Sequence, residues 1–182
     1  MNIVVAITGA SGAIYARQSI ELLLANQAVE RIALVCSDNA EGVVAHEGVT
    51  LPDDSRIERF ANNDMWSSVA SGSACWDAMI VVPSSMGTVG RIASGVSQSL
   101  IERAADVMLK ERRRLVLVVR EAPYSLIHLR NMTTITEAGG IIIPASPSFY
   151  FNPQNIESLA ATISTRAVEM LGLKVDHQHW GE

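Results

Sequence analysis

The stretch Ile3-Val4-Val5-Ala6-Ile7-Thr8-Gly9-Ala10-Ser11-Gly12-Ala13-Ile14-Tyr15 runs an apolar strand directly into a glycine-bracketed turn that opens a helix at Ala13. Apolar residues without alternation describe a strand covered on both faces, as in a parallel sheet. The turn suits an anion: its glycines bare the backbone, the first N–H groups of a helix lack partners within it, and Ser11 adds a hydroxyl. The spacing is neither G-x-G-x-x-G nor a Walker loop, which carries a lysine. Taken alone, a tight strand-to-helix connection with no ligand competes with the phosphate reading.

Working outward, four further apolar runs read as parallel strands, at 32–36, 78–83, 115–119 and 140–144. Helical patterns fall between and after the strands at 13–26, 38–47, 86–109, 125–138 and 154–171. Alternation of strand and helix predicts an α/β fold: one domain spanning 1–182, a doubly wound, mainly parallel sheet with helices on both faces. Residues 56–60 suggest a short extra strand, followed by a loop over 62–76 rich in Asn, Ser and small residues.

Composition narrows the function. The formal net charge of -5 argues against general nucleic-acid binding, which needs clustered excess Lys and Arg. No apolar run reaches the roughly 20 residues of a membrane helix, and the amino terminus lacks the pattern of a signal peptide, so a soluble cytoplasmic protein is expected. Cys36 and Cys75 are too few and too distant for a disulfide framework or a zinc site and read as small buried hydrophobes. His177 and His179 read as solvated tail residues, and no metal site is expected.

Open α/β sheets bind ligands beyond the carboxyl ends of their strands. Here those ends carry Gly9-Ala10-Ser11-Gly12, Ser37, the turn from Ser84 through Ser85, Met86 and Gly87 to Thr88, then Arg120-Glu121, and last a segment leading to Tyr150. Together they supply hydroxyls, backbone donors, an arginine and a carboxylate, a set suited to a nucleotide-like phosphate. Helix capping competes as the role of Ser85 and Thr88, and a structural ion pair as that of Arg120 and Glu121. Lys110 stands where a helix ends, where cations favour the helix dipole with or without a ligand.

Six blocks carry a resemblance: Gly9-Ala10-Ser11-Gly12-Ala13-Ile14-Tyr15, Ala70-Ser71-Gly72-Ser73, Pro83-x-Ser85-Met86-Gly87-Thr88, Arg103-Ala104-Ala105-Asp106-Val107-x-Leu109-Lys110-Glu111-Arg112-Arg113, Arg120-Glu121-x-Pro123 and Pro147-x-Phe149-Tyr150. In this order, and through the closing Trp180-Gly181-Glu182, the chain resembles the UbiX-like flavin prenyltransferases of the flavodoxin-like cysteine-decarboxylase superfamily. The resemblance implies a Rossmann-like or flavodoxin-like fold. It also implies transfer of a dimethylallyl group from dimethylallyl monophosphate to reduced FMN, without a metal. The prenylated FMN then serves a UbiD-like decarboxylase. The family commonly forms large homo-oligomers, and the resemblance implies a dodecamer.

By the same resemblance, FMN contacts Gly9, Ala10, Ser11, Ser37, Ser85, Met86, Gly87, Thr88 and Arg120, while Tyr150, Arg166, Lys110 and Arg103 line the prenyl-phosphate site, some across a subunit boundary. Glu121 matches a residue that exchanges a proton with that phosphate, in a setting expected to raise its pKa. Glu47 matches an acidic residue near the flavin, and Ser11 lies beside it in the catalytic set. Trp66 is the candidate π face for allyl cation character, with anchoring of its loop as the alternative. Two positions depart from the family pattern: Ser84 replaces a common cysteine, and Asp38 follows Ser37 in place of a common lysine, which puts FMN affinity in question. An FMN-dependent cysteine decarboxylase using His46 and a flavodoxin-like electron carrier are the competing functions.

Overall fold

Although β1 (Asn2–Ile7) shows no alternation in sequence, its side chains divide between two cores: Ile3, Val5 and Ile7 enter one, and Val4 and Ala6 the other. Such a strand needs cover on both faces, and the structure, a computed structural model describing residues 1–176, supplies it. His177, His179 and Trp180-Gly181-Glu182 lie outside the described residues. Strands β2 (Arg31–Cys36), β3 (Ile57–Ala61), β4 (Ala78–Ser84), β5 (Arg114–Val119) and β6 (Ile141–Pro144) join β1 in a parallel sheet of order β3-β2-β1-β4-β5-β6.

On one face α1 (Ala13–Ala25), α2 (Asp38–His46) and α6 (Ile156–Met170) contribute Ile20, Leu23, Ala40, Ile163 and Val168 to the first core. On the other, α3 (Met86–Ala93), α4 (Leu100–Lys110) and α5 (Leu126–Glu137) contribute Val89, Leu100, Met108 and Ile135 to the second. Leu23 is fully buried, and truncating such a side chain to alanine costs about 2–5 kcal/mol.

The strand order reverses between β1 and β4, because the chain winds outward through β2 and β3 in one direction and through β5 and β6 in the other. Adjacent strands whose connections diverge leave a crevice beyond their carboxyl ends. The turns after β1 and β4 flank it.

Two expectations are corrected and a third is met. The helix expected over 86–109 is two helices, because Gly95 adopts a left-handed backbone with φ 69° and the Val96 N–H donates to Arg91 O at 2.9 Å, ending α3. Ser99 then starts α4 with a capping box to Glu102. Cys75 is exposed in a loop rather than buried, whereas Cys36 is half-buried. The segment expected at 56–60 is the edge strand β3, and the loop behind it contains 3-10 turns at Ser68–Ala70 and Gly72–Ala74.

Candidate functional site

The turn after β1 is closed from within. Glu47, just beyond α2, accepts from the Gly12 N–H at 2.9 Å and from the Ala13 N–H at 2.7 Å. The N–H groups read from sequence as open to a phosphate are thus held by a side-chain carboxylate, an anion supplied by the chain itself. Burial pushes the Glu47 carboxyl up, but the Ser11 hydroxyl, the Gly12 and Ala13 N–H groups and the Arg120 charge outweigh it and hold the group below its ordinary value. Gly9 is needed for contact: a Cβ there would lie 2.7 Å from Asn39 Cβ, so glycine lets the turn rest on α2.

The turn after β4 is stitched to β1. Thr8 donates through N and Oγ1 to Pro83 O at 3.2 and 2.8 Å, and Thr8 Oγ1 accepts from the Ser85 N–H at 2.8 Å. Ser85 caps α3, with its hydroxyl accepting from Thr88 N at 3.4 Å and lying 3.1 Å from Thr88 Oγ1. Capping is therefore realised, and it leaves Ser85 at the crevice. Met86 and Thr88 are buried, so a ligand in the crevice meets this turn through Ser85 and the backbone at Gly87.

Arg120 is fastened by its backbone, with N donating to Ser84 O at 3.2 Å, while its exposed side chain joins Gly9, Ser11, Asn39, His46 and Glu47 around a cleft of about 520 Å³. Among the described residues the Arg120 and Glu121 side chains form no ion pair with each other; Glu121 Oε1 accepts from the Ala122 N–H at 3.1 Å. Ser37 starts α2 without spending its hydroxyl on a cap and lines a second cleft of about 510 Å³ with Asp38, Glu41 and Arg59. Ser84, at the end of β4, is buried with no partner for Oγ.

Tyr150 and Arg166 come together along a third cleft, of about 640 Å³, between the segment after β6 and α6; Arg166 Nη1 pairs with Glu169 at 3.0 Å. Lys110 and Arg103 lie elsewhere in the protomer. Lys110 ends α4 just before β5 begins, at the amino edge of the parallel sheet and opposite the crevice, and pairs with Glu111. Arg103 donates to Ala70 O at 3.1 Å and to Asp106 at 2.6 Å. Trp66 is 98% exposed, so it does not anchor its loop within the protomer.

Thr8, Asn39 and Arg91 shape the site without having been singled out in the sequence. Thr8 adjoins the glycine turn and was the most accessible of the three; the other two contact it only through the fold. Among the described residues, no group of three or more His, Cys, Asp or Glu is placed to hold a metal, and no helix is long and apolar enough to cross a membrane.

Comparison with known proteins agrees with this fold. Residues 1–168 match the Flavoprotein family. The flavin prenyltransferase UbiX of Pseudomonas aeruginosa is 40% identical over 199 residues, covering 100% of this chain and 94% of that protein. The crystal structure of AnUbiX (PadA1) in complex with FMN and dimethylallyl pyrophosphate is 42% identical with a TM-score of 0.89, covering 100% of this chain and 98% of the other. A dodecameric FMN-dependent UbiX-like decarboxylase from Escherichia coli O157:H7 is 34% identical with a TM-score of 0.89, covering 98% and 99% of the two chains. With full-length likeness in sequence and structure, this chain belongs to the UbiX flavin prenyltransferase family of flavoproteins.

Proposed function

We propose that the protein transfers a dimethylallyl group from dimethylallyl monophosphate to reduced FMN, with the prenylated flavin going on to a UbiD-like decarboxylase. One observation carries the reading: where the strand order reverses, two stitched turns flank a crevice beside a cleft into which Arg120 brings a guanidinium free of any ion pair among the described residues. These residues fit a flavin mononucleotide. The Gly87 backbone and the Ser85 and Ser37 hydroxyls suit ring and ribityl contacts, and Arg120 offers planar donors. When bound, reduced FMN supplies the electron-rich ring positions that accept the prenyl carbons.

The chain's own part is to handle charge. As the allylic carbon–oxygen bond breaks, its electron pair leaves with the phosphate, and fixed cations that meet this growing charge lower the barrier. Arg166 and Tyr150 stand ready in one cleft, and in this reading Lys110 and Arg103 of a neighbouring subunit complete it, with the role usual for a metal falling to side chains. Glu121 exchanges a proton with the departing phosphate. Trp66 offers its ring to allyl cation character once a neighbouring subunit covers it. Glu47, already committed to the α1 terminus, keeps the phosphate away from that helix start and in the Arg166 cleft. The homo-oligomer, read as a dodecamer, is therefore part of the site.

Release of inorganic phosphate from dimethylallyl monophosphate tests the reading. Release that requires reduced FMN and falls at least about 100-fold in Arg166→Ala is expected, since a cationic donor to a developing oxyanion contributes on that order. Tight FMN binding with no phosphate release overturns it in favour of an electron carrier.

A further inference from the structure

Glu102 is a carboxylate on α4 whose side chain is 4% exposed. A charge that buried persists only when its oxygens are engaged, and these are. Oε2 accepts from the Gln98 and Ser99 N–H groups at 2.9 and 3.0 Å, and Oε1 accepts from Arg91 Nε. Burial pushes Glu102 up, but Arg91 and the two backbone donors hold it below its ordinary value, so it stays charged. A planar guanidinium held at Nε has the direction of its other donors fixed.

Those donors point toward the turn after β4. Arg91 Nη2 donates to Thr88 Oγ1 at 3.3 Å, and Thr88 Oγ1 lies 3.1 Å from Ser85 Oγ. Arginine only donates, so Thr88 Oγ1 accepts from it; between Thr88 and Ser85 either hydroxyl can be the donor, and a hydroxyl that already accepts from a cation is the better donor, which favours Thr88 donating to Ser85. Ser85 Oγ also accepts from the Thr88 N–H at 3.4 Å. A hydroxyl has two acceptor sites and one proton. With Thr88 as the donor both sites are filled, and the proton of Ser85 is left for an acceptor in the crevice. Gly87 makes room for this: a Cβ there would stand 3.3 Å from Arg91 Nη1.

We propose that Arg91, aimed by Glu102, is a positioning residue that orients the Thr88–Ser85 hydroxyl pair so that Ser85 donates to an acceptor oxygen or nitrogen of the bound flavin. The inference rests on the flavin-binding reading above and adds a residue that acts through others.

FMN affinity, read from quenching of flavin fluorescence, tests it alongside thermal unfolding. Arg91→Ala is expected to weaken FMN about tenfold, the scale of one charge-assisted hydrogen bond. In a Ser85→Ala background the same change is expected to weaken FMN less than about twofold, because the two act through one bond. Arg91→Lys keeps a cation beside Glu102 without the fork, so it should restore the unfolding midpoint but not FMN affinity, and it carries the test if Arg91→Ala fails to fold. Full affinity in Arg91→Lys, or equal loss in both backgrounds, overturns the role of Arg91. Failure of the unaltered protein to bind FMN would instead overturn the functional reading itself.

Discussion

Glu47 shows how one side chain changes the meaning of a motif. A glycine turn ahead of a helix invites an anion, and the chain answers with its own carboxylate 35 residues later. The carboxyl is held below its ordinary value of 4.5, so its stabilising contribution is complete above that value and fades as pH falls through the lower folded value. Glu47→Gln should therefore lose about 1 kcal/mol at pH 7. Denaturant unfolding of the two proteins should converge as the solution is acidified well below the ordinary value of 4.5 and Glu47 takes up its proton; a difference that persists at the acid end would contradict the assignment. Gly12 is a second decisive residue. Its φ is 109° and an added Cβ would sit 2.7 Å from the Tyr15 ring, so Gly12→Ala should cost about 1–3 kcal/mol in a thermal melt.

At the scale of elements, the capping box that starts α4 predicts its own test. Ser99→Ala removes an N-cap worth about 1 kcal/mol, which for a chain of this size lowers the melting midpoint by about 2–4 °C. An unchanged midpoint would contradict a stabilising role for this cap. The same break shows what the sequence disclosed and what it hid. Strands were legible because β1, β2, β4 and β5 are continuous apolar runs, a pattern forced by cover on both faces. The interruption between α3 and α4 was also written, in Gly95 and in the spacing of Ser99 and Glu102, but the apolar periodicity on either side masked it. Glu47 on the α1 terminus, Arg91 on Thr88 and Asn39 against Gly9 were not legible, since each contact depends on how helices lie across the sheet. Cys75 misled because cysteine is usually buried, whereas this one ends a 3-10 turn in the left-handed region.

For the whole molecule, the distribution of the candidate residues is the main lesson. The crevice and Arg120 belong to the carboxyl side of the sheet, the Tyr150–Arg166 cleft lies between the segment after β6 and α6, and Lys110 lies at the amino edge of the sheet. Exposed Trp66, Phe149, Tyr150, Leu126 and Ile127 add apolar surface of the kind that marks protein contacts. The proposed sharing of sites between subunits predicts complementation: Lys110→Ala and Arg166→Ala chains, each inactive alone, should regain prenyl transfer when assembled together, because some sites then draw an intact residue from each. Mixed assemblies as inactive as either parent would place both residues in one protomer's site. The measurement that tests the central claim most directly is the mass of the flavin released after anaerobic incubation with reduced FMN and dimethylallyl monophosphate. The account predicts a gain of one five-carbon prenyl unit; FMN recovered at its original mass would contradict it.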